Sequence, residues 1–143
     1  LSKGFDLIDW YELDPEVVKV CQKHLPKICG EVKANNNVKT YWGDAFESIK
    51  KVKDSKYDKI FIDLNDDQFC IDLAAKNMKG LKRILKPGGV ITAQVGCLSK
   101  KPKQIKNWMG VLENSFGNVE LSETFIPSFD CRWNFASSLF KSN

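Results

Sequence analysis

A chain of 143 residues with 43% hydrophobic residues is sized for about one domain with its own core. Its formal charge of +4 is mild, and the lysine groups at 50–56, 79–86 and 100–106 have no interleaved aromatic platform, so they read as solvated helix faces rather than a nucleic-acid surface. No apolar run approaches the length of a membrane span.

The first strand expected runs from Leu7 to Leu13, with Glu12 at its end. Asp14 then reads as an N-cap and Pro15 as the first helical residue. Val17, Cys21, Leu25 and Ile28 fall at helical spacing, which predicts a helix with one face on a sheet and an early end or kink at Pro26. Gly30 to Asn37 reads as a polar loop. Val38, Thr40 and Trp42 alternate with Lys39 and Tyr41 to give a second strand, and Gly43-Asp44-Ala45 leads into a short helix through Ile49.

The third strand is the stretch around which the rest is organised. Ile60, Phe61 and Ile62 form an apolar run of the kind covered on both faces, and Asp63, Asp66 and Asp67 follow at its carboxyl end. Ligands of an open parallel sheet bind there, and gathered carboxylates attract a cation or take a proton from an ammonium group. A helix is expected from about Asp72 to Leu85, with Leu73, Leu81, Ile84 and Leu85 inward. Pro87-Gly88-Gly89 should break it, and Val90–Val95 is the fourth strand, with Gln94 near its end. Pro102 starts a helix with Ile105, Trp108, Met109, Leu112 and Phe116 on one face. Val119–Phe125 and Trp133–Leu139 close the chain as strands. They have no helix between them, so one of them is antiparallel. The whole predicts a doubly wound, mostly parallel α/β fold.

The five cysteines are Cys21, Cys29, Cys70, Cys97 and Cys131. They contain no C-x-x-C pair, and His24 is the single histidine, which excludes the familiar zinc spacings and argues against a disulfide framework. Cys21 reads as core. A reducing, cytoplasmic setting fits best. Glu12, Asp44, Asp63 and Gln94 each fall at or just after a strand end, where such a sheet would bind a nucleotide. A carboxylate can accept both hydroxyls of a ribose, and Asp44 could accept from an adenine amino group while the Ala45 N–H donates to the ring. The plain alternative for Glu12 and Asp44 is a salt bridge or a helix cap.

Several segments in order resemble the aminopropyltransferases of the spermidine synthase type. They are Tyr11-Glu12-Leu13-Asp14-Pro15-Glu16, Trp42-Gly43-Asp44-Ala45-Phe46-Glu47, Tyr57 through Asp66, Leu85 through Gln94, and Ile126-Pro127-Ser128-Phe129 with Trp133. The last is closest to the thermospermine synthase version. The resemblance covers nearly the whole chain and implies a Rossmann-like sheet of the class I methyltransferase type. It implies that Glu12 binds the ribose of decarboxylated S-adenosylmethionine and that Asp44 and Ala45 read the adenine. Asp63 would hold and deprotonate the acceptor amine, Asp66 and Gln94 would orient a polyamine such as putrescine or spermidine, and Phe129 and Trp133 would line its channel. Methylthioadenosine would be released, and no metal is needed.

The family's glycine-rich loop and N-terminal β-hairpin domain are not in these 143 residues. The chain is therefore expected to be a partial catalytic domain over residues 1–143, inactive alone. Its sheet should lack the central first strand, and the longer protein should be a homo-oligomer. After Asp66 the sequence runs into a helix sooner than in the family, which shortens the acceptor loop. Two other readings stand beside this one: a methyltransferase using intact S-adenosylmethionine, and a non-catalytic relative.

Overall fold

The computed structural model describes residues 4–29, 36–65 and 67–141. Asp66 and most of the expected Gly30–Asn37 loop lie outside them. The chain divides into two compact units, Leu1–Lys51 and Val52–Asn143.

In the first unit, β1 (Ile8–Glu12) pairs in parallel with β2 (Val38–Trp42), from Ile8↔Val38 to Glu12↔Trp42. Helix α1 (Pro15–His24) connects them. Asp14 caps it as expected, its Oδ1 accepting from the Glu16 N–H at 2.9 Å, and the helix stops just before Leu25-Pro26. The expected packing of its apolar stripe is not seen. No residue of α1 is fully buried, and Val17 and Val20 are 52% and 56% exposed; Cys21, expected in the core, is only half-buried. A two-stranded sheet offers too little surface to cover such a stripe. Helix α2 (Ala45–Ile49) follows β2 and buries Phe46 and Ile49.

The second unit holds a four-stranded sheet in the order β3-β4-β6-β5. Here β3 is Tyr57–Ile62, β4 is Leu85–Cys97, β5 is Val119–Ile126 and β6 is Cys131–Leu139. β3 and β4 are parallel, and β6 runs antiparallel to both its neighbours, β4 and β5. The antiparallel expectation for one closing strand is met. The interrupted sheet is met too: among the described residues β1 pairs only with β2 and β3 only with β4.

Helices α3 (Gln68–Ile84) and α4 (Pro102–Phe116) pack on each other and on β4. Ile71, Ala74, Met78, Leu81 and Ile84 of α3 meet Ile105, Trp108, Leu112 and Phe116 of α4 in a core that also takes Ile91, Ala93 and Val95 of β4. Lys82 ties the layer together. Its ammonium donates to the Ser115 carbonyl at 2.6 Å and lies over the rings of Phe116 and Phe140.

Three sequence expectations are corrected here. α3 begins four residues earlier than Asp72, because Asp67 caps it, and Leu73 is only half-buried. Pro87-Gly88-Gly89 does not end the helix. The chain turns extended at Leu85, and the Pro-Gly-Gly lies inside β4, where Gly88 takes φ +79° and exchanges with the chain end through Gly88 N–H to Phe140 O and Phe140 N–H to Gly89 O, both 2.8 Å. Phe61 is 51% exposed, so β3 is not covered on both faces; Ile62 alone of the run is fully buried.

Candidate active site

In the first unit the two parallel strands end side by side. The Gly43 N–H donates to the Glu12 carbonyl at 2.9 Å, and Gly43 reaches this position with φ +112°, a conformation that suits glycine. Glu12 and Asp44 are thus brought to the same end of one small sheet. Glu12 Oε1 accepts from the Asp14 N–H at 3.0 Å. Asp44 caps α2: its Oδ1 accepts from the N–H groups of Phe46 at 2.7 Å and Glu47 at 3.3 Å. The capping alternative for Asp44 is therefore real, yet it occupies one oxygen of two. The Ala45 N–H stands at the first turn of α2, where backbone donors have no partner inside the helix.

In the second unit the parallel register with β4 ends at Ile62↔Ala93, so Asp63, just past the end of β3, is next to Gln94, which lies within β4 three residues before its end at Cys97. Asp63 is exposed, and its carboxylate makes no hydrogen bond or ion pair among the described residues. Gln94 spans two segments. Its Nε2 donates to the Leu64 carbonyl, and its Oε1 accepts from Trp133 Nε1 at 2.7 Å. Trp133 in turn lies against Phe129, ring centroids 4.4 Å apart and tilted by 38°. Phe129 sits at the end of a 3-10 turn, Pro127–Phe129, whose carbonyl accepts from Lys100 Nζ at 3.2 Å. Gln94, Trp133 and Phe129 are one connected group, and Asp63 is the residue before the Leu64 carbonyl that Gln94 reaches.

Among the described residues Asp67 sits in no carboxylate cluster. Its Oδ1 accepts from the Cys70 N–H at 2.8 Å and starts α3. Burial, and then the Asp67 carboxylate, push the Cys70 thiol above its ordinary range. The Leu64 carbonyl that receives Gln94 was invisible in the sequence, because a backbone acceptor carries no residue signature.

Among the described residues no three His, Cys, Asp or Glu side chains gather as a metal site, and no helix is long and apolar enough to cross a membrane.

The strand order and the crossing helices define an α/β fold of the class I methyltransferase type. Solved spermidine synthases share it: one in complex with the transition-state analogue AdoDATO superposes with a TM-score of 0.84 over 99% of this chain and 49% of its own, at 16% identity. The Thermotoga maritima enzyme gives 0.81 over 96% and 47%, at 17% identity. The spermine/spermidine synthase domain matches residues 3–142. The chain belongs to the spermine/spermidine synthase family. Polyamine aminopropyltransferases of Prochlorococcus marinus strains MIT 9215 and MIT 9301 are each 34% identical over 140 residues, covering 92% of this chain and 48% of theirs. The chain thus spans about half the length of the curated relatives it matches. None of these relatives is a methyltransferase by name, and that alternative gains no support.

Proposed function

We propose that the longer protein to which these residues belong transfers an aminopropyl group from decarboxylated S-adenosylmethionine to a polyamine acceptor, putrescine or spermidine, and releases methylthioadenosine. The single observation carrying this reading is the Asp63 carboxylate, unpaired among the described residues and one position past the Ile62↔Ala93 pair, next to Gln94, whose side chain holds Trp133 against Phe129. The family membership supplies the reaction class.

Glu12 and Asp44 each keep one carboxylate oxygen outside their local turn or cap, Glu12 for the ribose hydroxyls and Asp44 for the adenine amino group, with the Ala45 N–H for the ring. A polyamine is protonated at neutral pH and cannot attack until one nitrogen loses its proton. Asp63 pairs with that ammonium and takes the proton. The freed lone pair then forms the new C–N bond as the C–S bond of the sulfonium breaks. Phe129 and Trp133 offer apolar and π surface to the methylenes and the remaining cationic end. Gln94 holds Trp133 in place and keeps a second amide hydrogen for the acceptor, and Asp66 joins it in orienting the polyamine. The sulfonium is already a good leaving group, so positioning and one proton transfer suffice without a metal.

The test is Asp63→Asn in the full-length protein. Turnover should fall about 100-fold or more, the range for loss of a positioned general base, while methylthioadenosine binding stays within about twofold. Unchanged turnover would remove Asp63 from its role.

A further inference from the structure

Cys97 and Cys131 form a disulfide, with Cα atoms 6.3 Å apart, within the span such bonds require. Sequence spacing argued against a disulfide framework, and there is no framework here: it is a single bond at one place. Cys97 is the last residue of β4, three beyond Gln94. Cys131 is the first residue of β6, between Phe129 and Trp133.

The sheet does not need this bond to close. The β4–β6 ladder already runs from Val90↔Leu139 to Cys97↔Trp133. What the bond adds lies beyond the end of that ladder. The Pro127–Phe129 turn and Asp130, with its left-handed φ of +45°, form the loop of the β5–β6 hairpin, closed at its base by the pair Ile126↔Cys131; within the loop the restraints among the described residues are the Asp130 N–H to the Pro127 carbonyl at 3.1 Å, Lys100 on the Phe129 carbonyl, and the ring contact to Trp133.

We propose that Cys97 and Cys131 are a reversible oxidation site whose closure fixes the Phe129–Trp133 wall. This rests on the acceptor role proposed above for that wall. Cys131 is the more accessible partner, 7% exposed against 2% for Cys97, and it is flanked by the exposed Asp130 and Arg132. Opening of the turn uncovers it. In the forward direction its thiolate attacks a low-molecular-weight disulfide, giving a mixed disulfide and one free thiol. The Cys97 thiolate then displaces the second thiol and forms the Cys97–Cys131 bond. Two electrons pass from the cysteines to the small disulfide, and the two thiol protons end on the released thiols. A dithiol reverses both steps. The Ser99 hydroxyl lies 3.2 Å from Cys97 Sγ and 3.8 Å from Cys131 Sγ, placed to donate to the sulfur that leaves as thiolate on reduction.

A tied wall is preorganised, and an acceptor that binds it loses less loop freedom. Linkage makes the effect reciprocal: bound polyamine should slow reduction of the bond.

The experiment uses the full-length protein equilibrated across ratios of oxidised to reduced glutathione. Peptide mapping should find the Cys97–Cys131 crosslink rising with the ratio. Hydrogen exchange of the peptide spanning residues 126–134 should speed up about tenfold on reduction, the mark of a locally opened segment. Spermidine should retard reduction by dithiothreitol, and acceptor KM should rise about threefold or more in the reduced protein, with kcat little changed. Cys131→Ser should exchange like the reduced protein at every ratio, and Cys97→Ser provides the same test from the more buried side. Absence of the crosslink at every ratio, or identical exchange in both states, overturns the proposal. If exchange differs but no polyamine binds in either state, the redox site stands and the acceptor reading falls.

Discussion

Gly89→Ala tests the geometry that sets the acceptor side. A Cβ at position 89 would lie 2.7 Å from Leu85 Cδ1, 2.8 Å from the Lys86 carbonyl oxygen and 2.9 Å from the Asp58 carbonyl oxygen. The leucine methyl can turn away. The two carbonyls belong to β4 and β3 and move only with their strands, in the stretch where the β3–β4 register already shifts between Tyr57 and Lys59. Overpacking against atoms that cannot yield costs about 1–3 kcal/mol, and two backbone neighbours put this site at the upper end. For a domain of this size that corresponds to a fall of about 4–10 °C in melting temperature. The adjacent Gly88→Ala is the control. Gly88 sits at φ +79° with nothing within 4 Å of a Cβ, so its cost is backbone strain alone, about 1 kcal/mol. Thermal melting of the full-length protein followed by tryptophan fluorescence measures both. The reasoning is refuted if Gly89→Ala melts with the wild type, or if Gly88→Ala is the worse of the two. Because the same ladder brings Asp63 next to Gln94, Gly89→Ala should also depress turnover in protein that remains folded.

Glu12→Gln should weaken methylthioadenosine binding about tenfold by removing the charge-assisted acceptance of ribose hydroxyls, and calorimetry that finds an unaltered Kd would defeat the assignment. Trp133→Phe keeps an aromatic ring next to Phe129 but removes the pyrrole half of the indole, and with it the N–H that reaches Gln94. Its acceptor kcat/KM and that of Gln94→Leu should be non-additive by about 1 kcal/mol in a double-mutant cycle, and strict additivity would mean that the two side chains do not act through their shared bond. Asp67→Ala should destabilise by about 1 kcal/mol through loss of the α3 cap, without a matching loss of polyamine affinity. A large loss of affinity would return Asp67 to the carboxylate group.

The strand-helix alternation was readable because its punctuation is local. Asp14-Pro15 and Pro102 carry helix starts in their own chemistry, and the β2 alternation is strict. The errors came where a tertiary partner decides. Asp67 looked like one of three carboxylates because nothing in the sequence distinguishes a ligand-facing aspartate from a cap, and the cap won by four residues of helix. The Pro-Gly-Gly read as a helix stop, but the helix had already ended at Ile84, and the glycines serve a close strand approach that only Asp58, far off in sequence, makes visible. Val17, Leu25 and Ile28 obey helical periodicity and are still exposed in the first unit. Among the candidate site residues, the placement of Glu12, Asp44 and Asp63 at or just past strand ends followed from pattern, whereas β4 runs three residues beyond Gln94. The Gln94–Trp133 bond and the Cys97–Cys131 bond did not follow from pattern, since both join strands whose pairing no spacing rule reveals.

The position of β6 has a consequence for how the second unit comes into being. It is the last described strand of that unit in sequence, yet it is inserted between two earlier ones, and among the described residues β5 has no other neighbour. While residues 131–139 are still on the ribosome, β4 carries an open edge and β5 has nothing to zip to. Closure must therefore wait until synthesis has passed this strand, and a stop codon ahead of it would leave the helices of the unit lying on half a sheet.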